Sequence, residues 1–332
     1  MNIEMALLPG LVRDTPRQVC IVVDVLRATS TISAFFERGV REIHLGANLD
    51  EVRAIGARLG DCILAGERGG MAPPGFDFSN SPTQILRAPA AMLEGRAVAF
   101  STTNGTRALR QLVAEGAPLV LTGCVRNGPA VAQRAIAEAR RRGCDVTVIA
   151  SGRENGAKIC LDDVIACGYI VHLLRQGAKL DNRPASAVAQ LMAEDDDPDY
   201  VQLDHAATDL SDYAGEEEEE DFEEEQRNAI TRYPFIPWNA VSGSGEKSPT
   251  PRMAEEGATL ALRLYQSYIS EYNDNPTQPS RRAFLAAFNE CSGGHHLLRY
   301  GWAADTAAVS EAGVCDIVPY VDASGEGLVL RR

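Results

Sequence analysis

The sequence predicts an α/β fold on a mostly parallel sheet, with C-terminal helices and strands that return to that sheet. Two observations lead there. Strand-sized apolar runs alternate with helical patterns from Val19 to about Gln176, the spacing of strand–helix–strand units. Several runs, Val19–Val25 foremost, show little polar alternation, as strands buried on both faces do.

The elements follow in order. Val19–Val25 reads as the first strand and Ser30–Arg38 as a helix ending at Gly39. Val40–Leu45 is a second strand. Asp50–Leu59 is a helix with Val52, Ile55 and Leu59 on one face. Cys62–Ala65 is a short third strand, and 66–82 a loop rich in Gly and Pro. Ala97–Ser101 is a strand, Asn104–Glu115 a helix, and Leu119–Thr122 and Val146–Ala150 are strands on either side of the helix Pro129–Arg142. A helix runs from Leu161 to about Gln176. After 180 the pattern breaks. Residues 181–252 carry the acidic run Glu216–Asp221 and the cluster Tyr233–Trp238, and read as an acidic, low-complexity insertion. The aromatic cluster suits docking on the body or on another subunit, which leaves a homo-oligomer open. Helices Ala254–Glu271 and Arg281–Asn289 follow, then strands at Cys315–Tyr320 and Gly327–Leu330. On this reading 1–180 and 253–332 build one fold.

Bulk properties narrow the function. The 332 residues are 45% hydrophobic, enough for a real core, and carry a formal charge of −14. Such a chain repels nucleic acid and anionic membrane surfaces. The longest apolar runs are strand-sized, so no membrane span is expected. No signal segment opens the chain. The eight cysteines form no CxxC pair and read as reduced thiols of a cytoplasmic protein.

In open α/β sheets ligands bind beyond the carboxyl ends of strands. Those ends here are rich in chemistry. The first is followed by Asp24 to Thr31 (DVLRATST), the third by Gly66 to Gly70 (GERGG), the next by Ser101 to Thr106 (STTNGT) and the last by Ser151 to Gly156 (SGRENG). Asp24 after a buried strand needs compensation. A hard cation such as Mg²⁺ would supply it, and helix capping would serve equally. Glu67 at a matching strand end favours a shared cation. Thr29–Thr31 and Thr102–Thr106 each open a helix, where backbone amides bind phosphate or hydroxyls simply cap. Two such segments with Arg27 beside one favour an anion site. Neither the GxxxxGK[ST] nor the GxGxxG phosphate motif is present. Asp162 and Asp163 start a helix at the same edge and add a candidate ligand. His295 and His296 read as surface or substrate-side residues.

DVLRATST, GERGG with GFDFSNSP (Gly75–Pro82), STTNGTRAL (Ser101–Leu109) and CDIVP (Cys315–Pro319) together resemble the 2-phosphosulfolactate phosphatase family. The resemblance implies a three-layer α/β/α fold and Mg²⁺-dependent hydrolysis of 2-phospho-3-sulfolactate to 3-sulfolactate and phosphate, a step toward coenzyme M. By motif it places Asp24, Arg27, Thr29, Glu67, Asn80, Thr103 and Asn104 in or near the site. Ser79 and Cys160 depart from the family's usual residues.

The mechanistic expectation combines both lines. Asp24 and Glu67 hold Mg²⁺, with Asp162 or Asp163 in reserve. Arg27, Thr103 and the backbone from Asn104 through Gly105 to Thr106 clamp the phosphoryl group. Arg68 or Arg153 receives the second anionic group of a small phosphorylated acid. The nucleophile is water or Asp24. Leu26 stands where aspartyl-phosphate enzymes carry a second aspartate, which favours water. A phosphotransferase, a lyase on another phosphorylated acid, and a non-catalytic anion-binding regulator are the alternatives.

Overall fold

The run QVCIVV, Gln18–Val23, forms the strand around which one half of the molecule is built, and all six of its residues are buried. Val19, Ile21 and Val23 enter one hydrophobic core, whereas Cys20 and Val22 enter another on the opposite face. Layers on both faces explain the lack of alternation. The computed structural model describes residues 1–154, 156–180, 252–272, 275–276, 279–325 and 327–332. These belong to one unit, Met1–Pro184 with Pro251–Arg332. The acidic run and Tyr233–Trp238 lie outside the described residues.

The strands are β1 (Ile3–Ala6), β2 (Gln18–Val23), β3 (Glu42–Leu45), β4 (Cys62–Gly66), β5 (Ala97–Ser101), β6 (Leu119–Gly123), β7 (Asp145–Ala150), β8 (Tyr320–Asp322) and β9 (Leu328–Arg331). They form one nine-stranded sheet in the order β1-β7-β2-β6-β8-β9-β3-β5-β4. Strands β1, β7, β2 and β6 are mutually parallel, as are β3, β5 and β4. The C-terminal strands do return to the sheet, but they enter at its middle. The β8–β9 hairpin pairs antiparallel with β6 on one side and β3 on the other. The sheet is therefore mixed, with two parallel blocks of opposite sense.

The helices before the acidic segment are α1 (Ala28–Glu37), α2 (Leu49–Leu59), α3 (Pro82–Arg87), α4 (Ala90–Leu93), α5 (Gly105–Ala114), α6 (Gly128–Arg142) and α7 (Leu161–Leu180). After the acidic segment come α8 (Arg252–Glu271), α9 (Arg281–Asn289), α10 (Ser292–Arg299) and α11 (Ala303–Val309). Helices α6, α7 and α8 cover the β1–β7–β2–β6 block on one face. Helix α2 covers β4 and β5 through Val52, Ile55 and Ala99. The other face belongs to α1 and α5, giving three layers.

Helix α1 carries none of the amphipathicity of a surface helix, since Ala28 to Phe36 are all buried. Its Phe35 ring meets Phe100 of β5 at 6.0 Å and Phe78 at 6.2 Å, both edge-on. Cys20 and Val22 of β2 line the same core. Both blocks thus close on α1. Neighbouring strands rotate by roughly 20–25°, and that twist accumulates along the sheet. It allows the ends of β2 and β5, which belong to blocks of opposite sense, to meet.

Two expectations change. Cys315–Pro319 is irregular, and β8 begins only at Tyr320. The reason is that side chains claim the carbonyls a ladder would use: Asn127 Nδ2 donates to Ile317 at 3.0 Å and Arg134 Nη1 to Val318 at 2.7 Å. Pro319 also has no amide to offer. Strand β1, absent from the sequence reading, is a short segment that pairs with β7.

Candidate active site

Asp24 leaves β2 at its carboxyl end and is 8% exposed. Its Oδ1 accepts the Ala28 amide at 3.2 Å, and its main-chain oxygen accepts the Thr29 amide and hydroxyl at 2.9 Å each. The capping role is therefore real, and it uses one carboxylate oxygen. The other faces Gly105, where a Cβ would lie 3.0 Å from Oδ2 and 2.9 Å from the Ala28 Cβ. Glycine at 105 is what lets α5 start against α1. Burial pushes the Asp24 carboxyl up to about 6; Asp162 adds to the rise, while bonds from Ala28, Ser151 and Gly105 oppose it.

The acids that open α7 have different duties. Asp163 accepts the Val25 amide at 2.9 Å on Oδ1, and the Ser151 hydroxyl and Gly152 amide at 3.2 and 3.3 Å on Oδ2. It ties the end of β2 to the end of β7. Asp162 is also buried, but its Oδ1 has no hydrogen-bond partner, and its Oδ2 lies 3.8 Å from Arg153 Nη2. Burial raises both carboxyls, Asp163 well above the usual range, with Asp162 and Asp24 adding to it. Helix α10 closes over this pair. A Cβ on Gly293 would come 2.6 Å from Arg153 Nη2 and collide with Asp162 Oδ2. Arg153 Nη1 donates to Ser292 at 3.2 Å.

Arg27 is buried and held from three sides. Nη1 donates to Asp305 Oδ2 at 2.8 Å, Nη2 donates to the Gly70 carbonyl at 3.2 Å, and the guanidinium lies 4.9 Å from the Trp302 ring centroid. Asp305 also accepts the Ser81 hydroxyl at 2.6 Å and the Thr83 amide at 3.1 Å. One carboxylate on α11 thus fixes both Arg27 and the loop that carries Asn80.

Glu67 accepts the Thr103 hydroxyl at 2.8 Å and the Gly70 amide at 2.9 Å, one on each oxygen. It joins the loops after β4 and β5. Both its oxygens are already engaged, unlike those of Asp162. Thr103 is exposed and Asn104 half-buried. The Oδ1 atoms of Asn104 and of buried Asn80 have no partner. The Thr106 amide donates to Thr102 at 3.3 Å, so it is committed within its own turn. Thr29 serves the backbone of Asp24. Arg68 is exposed at the tip of a tight turn with Met71.

The charges near Asp24 do not balance. Arg27 is matched by Asp305, leaving three buried carboxylates, Asp24, Asp162 and Asp163, around Arg153. Among the described residues no three His, Cys, Asp or Glu side chains are grouped to hold a metal. A two-carboxylate set still suits Mg²⁺, which keeps several waters. Asp162 Oδ1, which has no partner, and the Asp24 carboxylate are the candidate oxygens for such an ion. Glu67 and Asp163 have both oxygens on protein donors.

The family model for 2-phosphosulpholactate phosphatase matches residues 7–227. The chain belongs to this family. A probable 2-phosphosulfolactate phosphatase of Carboxydothermus hydrogenoformans is 29% identical over 60% of this chain and 79% of its own length. One from Thermus thermophilus is 37% identical over 52% of this chain and 68% of its own. One from Deinococcus radiodurans is 37% identical over 47% and 61%.

Two residues of this family member escaped the sequence reading of the site, and a third, His296, was read there only as surface or substrate-side. Asp305 and Trp302 act on Arg27 from the far end of the chain, and no motif marks them. His296, one turn along α10 from Gly293, is half-buried, with Arg153, Arg27 and Glu67 all acting on its charge. The Gly-Gly-His-His run was the available signal. Two glycines before paired histidines mark a helix start that approaches something closely.

Proposed function

We propose that this chain hydrolyses 2-phospho-3-sulfolactate, or a closely similar small anionic phosphomonoester, with Mg²⁺ held by Asp24 and Asp162. Family membership makes it a phosphoric monoester hydrolase. The observation that carries the metal assignment is the excess of buried carboxylate around Arg153, with one Asp162 oxygen lacking any donor. When bound, the cation supplies charge neutralisation for the phosphoryl oxygens.

The chain's own groups do the rest. Arg27, immobilised by Asp305, Gly70 and Trp302, presents its remaining N–H groups to the phosphoryl oxygens without reorganising. Thr103 and Asn104 border the same space from the loop between β5 and α5. Arg153 is anchored on Ser292 and sits on the α10 side, where a sulfonate or carboxylate would find a fork of donors. Water attacks phosphorus, and the alcohol leaves. All eight cysteines are unpaired, which suits a reducing cytoplasm. No helix among the described residues is long and apolar enough to cross a membrane.

The test is phosphate release from 2-phospho-3-sulfolactate and from phospholactate, in Mg²⁺ and in chelator, for wild type and Asp24→Asn. Metal-dependent release that prefers the sulfonate and disappears in the variant supports the proposal. Release that is unchanged by chelator removes the metal assignment. No release from either ester removes the substrate assignment.

A further inference from the structure

We infer that His296 is the general acid that protonates the leaving ester oxygen, an assignment that rests on the phosphatase reading above. An alkyl alkoxide is a poor leaving group, so breaking its P–O bond needs a positioned proton. Arginines do not give up protons in proteins, so neither Arg27 nor Arg153 serves. The Thr103 hydroxyl is committed to Glu67. Asp24 and Asp162 are assigned to the cation. Among the described residues of the site, His296 is the group whose ordinary pKa lies near neutrality.

Its position supports the role. Residues three apart on a helix share a face, so His296 continues the face of α10 on which Gly293 meets Asp162 and Arg153. Tyr300, a further turn on, packs its ring against the imidazole at 4.7 Å between centroids, the two planes tilted by 53°. Burial, then Arg153 and Arg27, hold the imidazole below its ordinary pKa; Glu67 opposes this and Arg299 adds to it. A doubly charged phosphate entering between the two arginines offsets their field. Proton uptake by His296 then accompanies substrate binding.

The step balances. Water adds to phosphorus and supplies the new oxygen of phosphate. The electron pair of the breaking P–O bond stays on the ester oxygen. The imidazolium proton passes to that oxygen, releasing the alcohol. Solvent takes up the proton lost by the attacking water and returns one to the imidazole.

The test compares phospholactate with its analogue in which sulfur replaces the bridging oxygen, using wild type and His296→Gln in Mg²⁺. A thiolate leaves without protonation. The variant is expected to lose about 100-fold in kcat on the oxygen ester and under about threefold on the sulfur analogue. Added imidazole is expected to restore part of the oxygen-ester activity in His296→Ala, a response that misfolding would not give. Equal losses on both esters, with no imidazole rescue, overturn the assignment while leaving the phosphatase reading in place. A wild type that cleaves neither ester overturns both.

Discussion

Asp305→Ala isolates the pair on which Arg27 depends. Arg27 and Asp305 are 5% and 1% exposed and 2.8 Å apart, so the guanidinium stays largely buried once its partner is gone. Removing one member of such a pair costs about 3–5 kcal/mol, because the survivor stays buried and unmatched. The Ser81 hydroxyl and the Thr83 amide lose their acceptor in the same change, so the upper part of that range is expected. Asp305→Asn keeps an acceptor for both and is expected to cost less. Arg27→Met combined with Asp305→Ala removes both charges, and the double variant should be more stable than the sum of the single losses. Urea unfolding of the wild type, Asp305→Ala, Asp305→Asn, Arg27→Met and the double variant measures this directly. A loss under about 1 kcal/mol for Asp305→Ala, or strict additivity, would refute the claim that a desolvated pair organises this side of the site.

Further outcomes follow from the same geometry. Without metal, stability should fall as pH rises from about 4 to about 7: the Asp24 carboxyl is raised from 3.8 to about 6 in the folded state, so folding holds a proton that high pH removes. Asp24 alone contributes about 3 kcal/mol to that fall, and Asp24→Asn should flatten it in chelator-treated urea titrations. Mg²⁺ should raise the melting temperature of wild type at pH 7.5 and do little for Asp162→Asn, read by calorimetry. Gly105→Ala should cost about 1–3 kcal/mol by overpacking, and should lower activity by moving α5 away from Asp24, measured by unfolding and phosphate release together. Arg126→Met should cost about 3 kcal/mol, because Arg126 bonds Glu37 and Glu311 from a buried position; unfolding midpoints report it.

What was legible in the sequence is what is local. Asp24 and Arg153 were visible because each follows a buried strand within a few residues, where a polar group must face a ligand or a cap, and Asp162 and Asp163 because they open the helix that follows β7. Asp24 proved to cap α1 with one oxygen and leave the other at the site, so the two readings were never exclusive. The pairing order of the strands was not legible. Continuous apolar runs say that β2 and β5 are covered on both faces, but not that a C-terminal hairpin separates them. Arg27 and Asp305 are 278 positions apart, and nothing in the segment around Asp305 marks its partner.

That hairpin bears on the chemistry. With one parallel block, the acids after β2 and β7 and the hydroxyls after β5 would lie along one sheet edge, spaced by strand separations. With β8 and β9 between the blocks, the sheet instead closes on α1 and α5, and the two sets approach through a helix–helix contact at Gly105. The start of α5 and the Asp24 carboxylate after β2 are thereby set by the packing of Ala28 against Gly105, not by strand register. The C-terminal segment contributes twice, since it also brings Gly293, His296, Trp302 and Asp305 over the opening. Residues before the acidic segment supply the carboxylates and arginines, and residues after it fix how those groups point. A chain cut before α9 would retain Asp24, Arg27 and Arg153 in sequence but lose the counter-ion of Arg27, the anchor of Arg153 and the central hairpin of the sheet.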